Sequence, residues 1–136
     1  MPHYLGVDVG TTKIATLVLD SETGRRIATH ELSNAVETTS EADRPRGRHE
    51  WNAEEMAQLT LRCIRSVLAS THKPDVQCVG VTGQMHGMLL VREGRPISPL
   101  IGWQDQRCQE IMPGLGVNYI ARMLELGGVG GFARTG

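Results

Sequence analysis

The chain has 136 residues, 40% hydrophobic and 21% charged, with a formal net charge of −1. That length allows one domain with a modest core, and the near-neutral charge gives no electrostatic footing for nucleic acid or an anionic membrane as partner. Cys63, Cys78 and Cys108 are widely spaced and form no C-x-x-C pair. The N-terminus lacks a basic segment followed by a long apolar core, and no apolar run nears the roughly 20 residues that span a bilayer, so free thiols and a cytoplasmic location are expected.

Tyr4 to Leu19, YLGVDVGTTKIATLVL, reads as two strands joined by a tight turn. Leu5, Val7 and Val9 alternate with Gly6 and Asp8, which makes Asp8 a buried-looking acid that needs a cation or a set of donors. Gly10 permits a sharp turn and close approach of backbone to a ligand, while Thr11, Thr12 and Lys13 add hydroxyls, N–H groups and an ammonium. Two readings stand: a cradle for a phosphate and its magnesium, or a hairpin whose Asp and Thr satisfy local geometry. Neither the Walker A spacing nor G-x-G-x-x-G is present.

A turn at Asp20–Arg26 and a third strand at about Arg26–Asn34 complete an antiparallel meander, with His30 as an ordinary sheet residue. Ala35 to Glu50 is polar, holds Pro45 and Gly47, and reads as a loop. Its Arg44, Arg46 and Arg48 are surrounded by acids and fit a solvated loop better than a phosphate site. Asn52 to Ser70 is the clearest helix, with Asn52 as N-cap and Glu55 completing a capping box. Met56, Leu59, Cys63, Val67 and Leu68 form its apolar stripe, widened by Ala57, Leu61 and Ile64.

Val76 to Thr82 is a nearly continuous β-branched run and predicts a central buried strand, parallel to an earlier one. The loop after it, Gly83-Gln84-Met85-His86-Gly87, then sits at a strand's carboxyl end, where open α/β sheets bind ligands. Gln84 and His86 offer directional hydrogen bonds and Met85 an apolar surface, a mixture suited to a polyol; the alternative is a glycine-bounded turn with a surface His. Met88–Arg92 and Pro96–Ile101 read as short strands around a turn at 93–96. Beyond them, Trp103, Asp105 and Arg107 alternate along what reads as an extended segment. They serve either a sugar's C–H face and hydroxyls, or a structural Asp–Arg pair beside a core Trp. Val117–Leu126 predicts a short amphipathic helix with Ile120, Met123, Leu124 and Leu126 on its apolar side, and 127–136 a glycine-rich tail.

Asp8-Val9-Gly10-Thr11-Thr12-Lys13 resembles the first phosphate-binding motif of the superfamily of sugar kinases, actin and heat-shock ATPases, and within it the FGGY carbohydrate kinases. G-Q-M-H-G is similar to a sugar-contacting segment of xylulokinases, and P-L-I-x-W-Q-D-x-R-C looks like sedoheptulokinases. The resemblance implies a ribonuclease-H-like α/β fold: a mixed sheet with an N-terminal antiparallel meander and flanking helices, truncated. Residues 1–126 would form an incomplete N-terminal kinase domain. It implies ATP and magnesium as cofactors at Asp8, Gly10, Thr11, Thr12 and Lys13, with Asp8 on the metal. A ketose would lie at Met85, His86 and Trp103, with Gln84, Asp105 and Arg107 as further candidates. FGGY kinases are about three to four times this long, and their catalytic aspartate and adenosine-binding half lie beyond residue 136. The chain is therefore expected to be the inactive N-terminal part of a ketose kinase, its partners the sugar and the missing C-terminal half. A non-catalytic sugar- or phosphate-binding module and a ribonuclease-H-like nuclease are the other classes. The nuclease lacks an obvious constellation of carboxylates.

Overall fold

The computed structural model describes residues 2–72 and 74–127; the anticipated tail therefore lies, apart from Gly127, outside the described residues. In chain order the elements are β1 (Pro2–Val9), β2 (Lys13–Asp20), β3 (Arg26–Ser33), β4 (Glu50–Trp51), α1 (Ala53–Ala69), β5 (Asp75–Gly83), β6 (Val91–Arg92), β7 (Arg95–Pro96), β8 (Leu100–Ile101) and α2 (Tyr119–Gly127). Short 3₁₀ turns occupy Arg44–Arg46 and Arg107–Gln109. The described residues divide into two compact units, with boundaries between Glu37 and Thr38, Trp51 and Asn52, and Met85 and His86.

The first unit is a four-stranded mixed sheet in the order β3-β2-β1-β5. β1, β2 and β3 pair antiparallel as the expected meander, and β5 runs parallel to β1. Alternation along β2 sends Ile14, Thr16, Val18 and Asp20 to the buried side. Leu5, Val7 and Val18 form the core with Val67 of α1, and Ala28, Ile64, Leu68 and Val76 pack around it. Each such aliphatic side chain, taken fully from water, contributes about 1.5–3 kcal/mol. Asp20 closes the β2–β3 turn: its Oδ1 accepts from the Glu22 and Thr23 amides and the Thr23 hydroxyl. The Thr23 amide is the main reason its pKa lies below the ordinary value.

α1 starts where its cap predicts. Asn52 accepts from the amides of Glu54 and Glu55, both at 3.1 Å, and its Nδ2 donates to the Glu55 carboxylate at 3.0 Å. Met56, Leu59, Cys63 and Val67 are buried as expected. The expected widening of the stripe is corrected on one side: Ala57 is exposed and Leu61 is 43% exposed, because the sheet covers only one face of the helix.

A larger correction concerns β5. It is parallel to β1, as expected, but it is the edge of the sheet and not a buried centre. Eight of its nine residues are exposed, Val81 to 71%, and among the described residues no strand pairs with its outer edge. Residues of α1 pack on β2 and β3 and scarcely on β5, so the β-branched run keeps its backbone preference without its cover.

The second unit is built on short pairings. β4 pairs antiparallel with β8, matching Trp51 to Leu100, and β6 and β7 form a two-residue hairpin. Its turn is Glu93-Gly94, both with positive φ (50° and 75°), as a type I′ turn requires. The expected strand Met88–Arg92 is thus present but shortened to Val91–Arg92, the expected strand Pro96–Ile101 is corrected to two pieces, β7 and β8, that belong to different sheets, and the turn is two residues instead of four. Trp51 is buried, stacks on His49 with ring centroids 6.3 Å apart, and lies so close to Gly102 that a Cβ there would strike the indole. α2 is displaced slightly from Val117–Leu126. Ile120 and Leu124 are half-buried while Met123 and Leu126 are exposed, so its apolar side is narrower than expected.

Candidate functional site

Parallel pairing of β1 with β5 brings the carboxyl ends of both strands to one edge of the first unit, Val9 opposite Gly83. The turn that follows β1 is tight. The Gly10 amide donates to the Lys13 carbonyl at 3.0 Å, and a Cβ on Gly10 would sit 2.8 Å from that oxygen, which only glycine avoids. Asp8 stands just before it and is exposed, correcting the expectation of a buried acid. Leu5 and Val7 point into the core and Asp8 to the opposite face, so no burial penalty applies and the carboxylate is open to a ligand. Thr12 is exposed and Thr11 partly so. The Lys13 ammonium lies 2.9 Å from Glu31 on the neighbouring strand, an exposed cross-strand pair. An open carboxylate, a turn shaped around the missing Cβ and exposed threonines are a donor set that fits a phosphate and its magnesium.

On the β5 side, the amide of Gln84 donates to the Val9 carbonyl at 3.1 Å, and a Cβ on Gly83 would lie 2.9 Å from the same oxygen. Gln84 therefore belongs to the same unit as the Gly10–Lys13 turn. Its Oε1 and Nε2 are both buried and bonded to no protein atom. Met85 is exposed and ends this unit. One residue escaped the sequence reading: Asn34, just past β3, donates from Nδ2 to the Gly10 carbonyl at 2.7 Å. An Asn at a strand end ordinarily signals only a turn, so nothing in the pattern tied it to Gly10.

His86, Trp103, Asp105 and Arg107 fall in the second unit. His86 is exposed and holds φ 58°, a left-handed backbone that a non-glycine residue adopts at some cost and that recurs at functional loops. Trp103 is 46% exposed. The expected extended segment is corrected: the Asp105 amide donates to the Gly102 carbonyl, closing a turn, and a 3₁₀ turn begins at Arg107, so the three side chains do not share a strand face.

The Asp105 side chain is 2% exposed and accepts four hydrogen bonds: Oδ1 from the amide and Nε of Arg107, Oδ2 from the amide of His49 and an Nη of Arg107. Burial pushes its pKa up, but the Arg107 guanidinium and the two backbone amides hold it below the ordinary value. Arg107 also donates to Glu50 at 2.6 Å, and its pKa is raised, chiefly by Asp105. Nearby, Arg48 holds Glu110 through two bonds of 2.8 Å and Arg46 adds a third, depressing the Glu110 pKa. Arg48, Arg107, Cys108, Glu110 and Tyr119 line a cleft of about 330 Å³, and both of its guanidinium groups are already paired.

Residues 3–125 match the N-terminal domain of the FGGY family of carbohydrate kinases. The chain belongs to that family. Among its FGGY relatives it is 28% identical over 131 residues to xylulose kinase of Staphylococcus xylosus, which takes in 92% of this chain and 26% of that enzyme. It is 29% identical to sedoheptulokinase of Mus musculus, covering 79% of this chain and 26% of the other. The structure of a ligand-bound xylulose kinase from Lactobacillus acidophilus superposes with a TM-score of 0.70 at 18% identity, over 94% of this chain and 23% of that one, a likeness of fold. The chain thus spans about a quarter of the length of the relatives it matches. These neighbours bear out the actin-like, ribonuclease-H-like α/β assignment and the resemblance read from the motifs. Among the described residues no helix is long and apolar enough to cross a membrane.

Proposed function

We propose that this chain supplies the phosphate-binding turn and part of the sugar-recognition surface of an ATP-dependent ketose kinase of the xylulokinase or sedoheptulokinase type. The observation that carries the reading is the Gly10–Lys13 turn at the carboxyl ends of two parallel strands, with the open carboxylate of Asp8 beside it. ATP and magnesium are the cofactors it requires, supplying the transferable phosphoryl group and a divalent charge. Asp8 holds the metal directly or through water, and the turn's N–H groups and threonine hydroxyls spread the phosphate charge. Met85 in the first unit offers the ketose an apolar side chain, and His86 and Trp103 in the second offer it a hydrogen-bonding and an aromatic group. Asp105 and Arg107 brace their loop, since four donors already fill the acceptor positions of the carboxylate. The catalytic base and the adenosine-binding half are assigned to a further domain.

The nuclease alternative needs several convergent carboxylates, and among the described residues no three His, Cys, Asp or Glu side chains cluster in a way that would hold a metal. The reading is tested on the 15N-labelled chain with MgATP. Amide resonances of Gly10 to Lys13 are expected to shift, and the Asp8→Asn variant to lose the response. A coupled ADP-release assay with xylulose and sedoheptulose is expected to show no ketose-dependent turnover by the chain alone. Turn amides that ignore MgATP, or turnover well above a protein-free control, would overturn it.

A further inference from the structure

Asn34 lies just past β3, is 6% exposed, and grips the phosphate turn at two points. Its backbone N–H donates to the Thr12 carbonyl at 2.9 Å and its Nδ2 to the Gly10 carbonyl at 2.7 Å, while the Lys13 carbonyl is taken by the Gly10 amide. Three carbonyls of this short turn are thus engaged by the protein. That matters for an anion site, because a carbonyl oxygen facing a phosphate repels it, whereas the N–H on the far side of the same peptide attracts it.

The peptide bond is planar and every one described here is trans, so the Gly10 carbonyl and the Thr11 N–H point in opposite directions. Drawing the carbonyl toward Asn34 turns the Thr11 N–H away from it. The Oδ1 of Asn34 is buried and bonded to no protein atom, and an apolar residue of similar size would fill the same space. What the amide adds over such a residue is the bond to Gly10.

We propose that Asn34 is the positioning residue of the phosphate turn, orienting the Thr11 N–H to receive a phosphoryl oxygen. This rests on reading Gly10–Lys13 as a phosphate site and names the residue that shapes it. Asn34 acts through the turn and does not itself touch the ligand.

The test uses the 15N-labelled 136-residue chain titrated with magnesium tripolyphosphate, which carries the charge pattern of ATP without the nucleoside. In the unaltered chain the Thr11 amide is expected to show the largest shift. Asn34→Ala, and Asn34→Asp, which sets an oxygen against the Gly10 carbonyl, are expected to weaken binding at least tenfold and to abolish the Thr11 response. Asn52→Ala, which removes the helix cap, controls for stability and is expected to bind as the unaltered chain does. If Asn34→Ala does not fold, Asn34→Ser and Asn34→Asp carry the comparison. Turn amides that never respond sink the phosphate reading and this proposal with it. A response that survives in folded Asn34 variants, or falls equally in Asn52→Ala, overturns the proposal alone.

Discussion

Arg107 grips Asp105 with two side-chain nitrogens, Nε on Oδ1 and Nη on Oδ2, each at 2.8 Å, and the backbone amides of His49 and Arg107 fill the remaining positions on the carboxylate. Replacing Asp105 by Asn removes the charge, turns one acceptor into a donor facing a donor, and leaves Arg107 its ion pair with Glu50 and a single neutral acceptor at position 105. The guanidinium is about a third exposed, so water softens the loss, and a cost of about 2–3 kcal/mol is expected. Urea denaturation of the chain measures it. A variant as stable as the unaltered chain would return Asp105 to the list of candidate sugar contacts.

Hydrogen-bonded carboxylates of this kind set an acid limb of stability. Asp20, Asp105 and Glu110 all have native pKa values below their ordinary ones, 3.8 for aspartate and 4.5 for glutamate. The unfolded chain therefore binds more protons than the folded one as the pH falls through that range. The stabilisation is full above the unfolded values, about pH 5 and higher, and is lost as the pH drops through the depressed native values. Stability measured by denaturation at a series of pH values should be level near neutrality and decline below about pH 4.5, and Asp105→Asn should flatten that decline. An unchanged slope in the variant would remove Asp105 from the account.

Gly10 offers a sharper test of the turn. A methyl group there would lie 2.8 Å from the Lys13 carbonyl, a backbone atom that cannot swing aside. Gly10→Ala is expected to cost about 1–3 kcal/mol, in the range of forced overpacking, and to erase the response of the turn amides to magnesium tripolyphosphate. By contrast, Gly24→Ala tests only a positive φ of 67° with open space around it, and should leave that response intact. Equal behaviour of the two variants would mean the turn is no more demanding than an ordinary hairpin.

Local patterns were legible where local physics decides the outcome. The meander, the Asn52 cap, the buried stripe of α1 and the Gly-Thr-Thr turn all follow from alternation, helical spacing and turn chemistry within a dozen residues. What depended on distant partners was not. Asp8 looked buried because its neighbours are apolar, yet the strand places it on the opposite face. Trp103, Asp105 and Arg107 fall at alternate positions, as on one face of an extended segment, but the contacts from Arg107 to Asp105 and Glu50 accompany a segment curled into turns. Asn34 reaches Gly10 across 24 positions, and only the β2–β3 register brings them together.

The strand β5 allows the most direct test of that distinction. Its β-branched composition suits a fully buried position, yet Val79 is 51% and Val81 71% exposed, and among the described residues its outer edge has no partner strand. A buried valine replaced by lysine strands an ammonium in the core, whereas an exposed edge position tolerates lysine and is even protected by it against edge-to-edge association. Val81→Lys is therefore expected to change the stability of the chain by less than about 0.5 kcal/mol, the usual range for exposed sites, and to reduce its tendency to associate at high concentration. Val7→Lys, one strand over and buried, should leave no folded chain at all. Denaturation curves and sedimentation at several concentrations read both effects. A loss of 2 kcal/mol or more on Val81→Lys would mean that another part of the protein covers β5 in solution, and that the sequence pattern described its environment better than the exposed edge does.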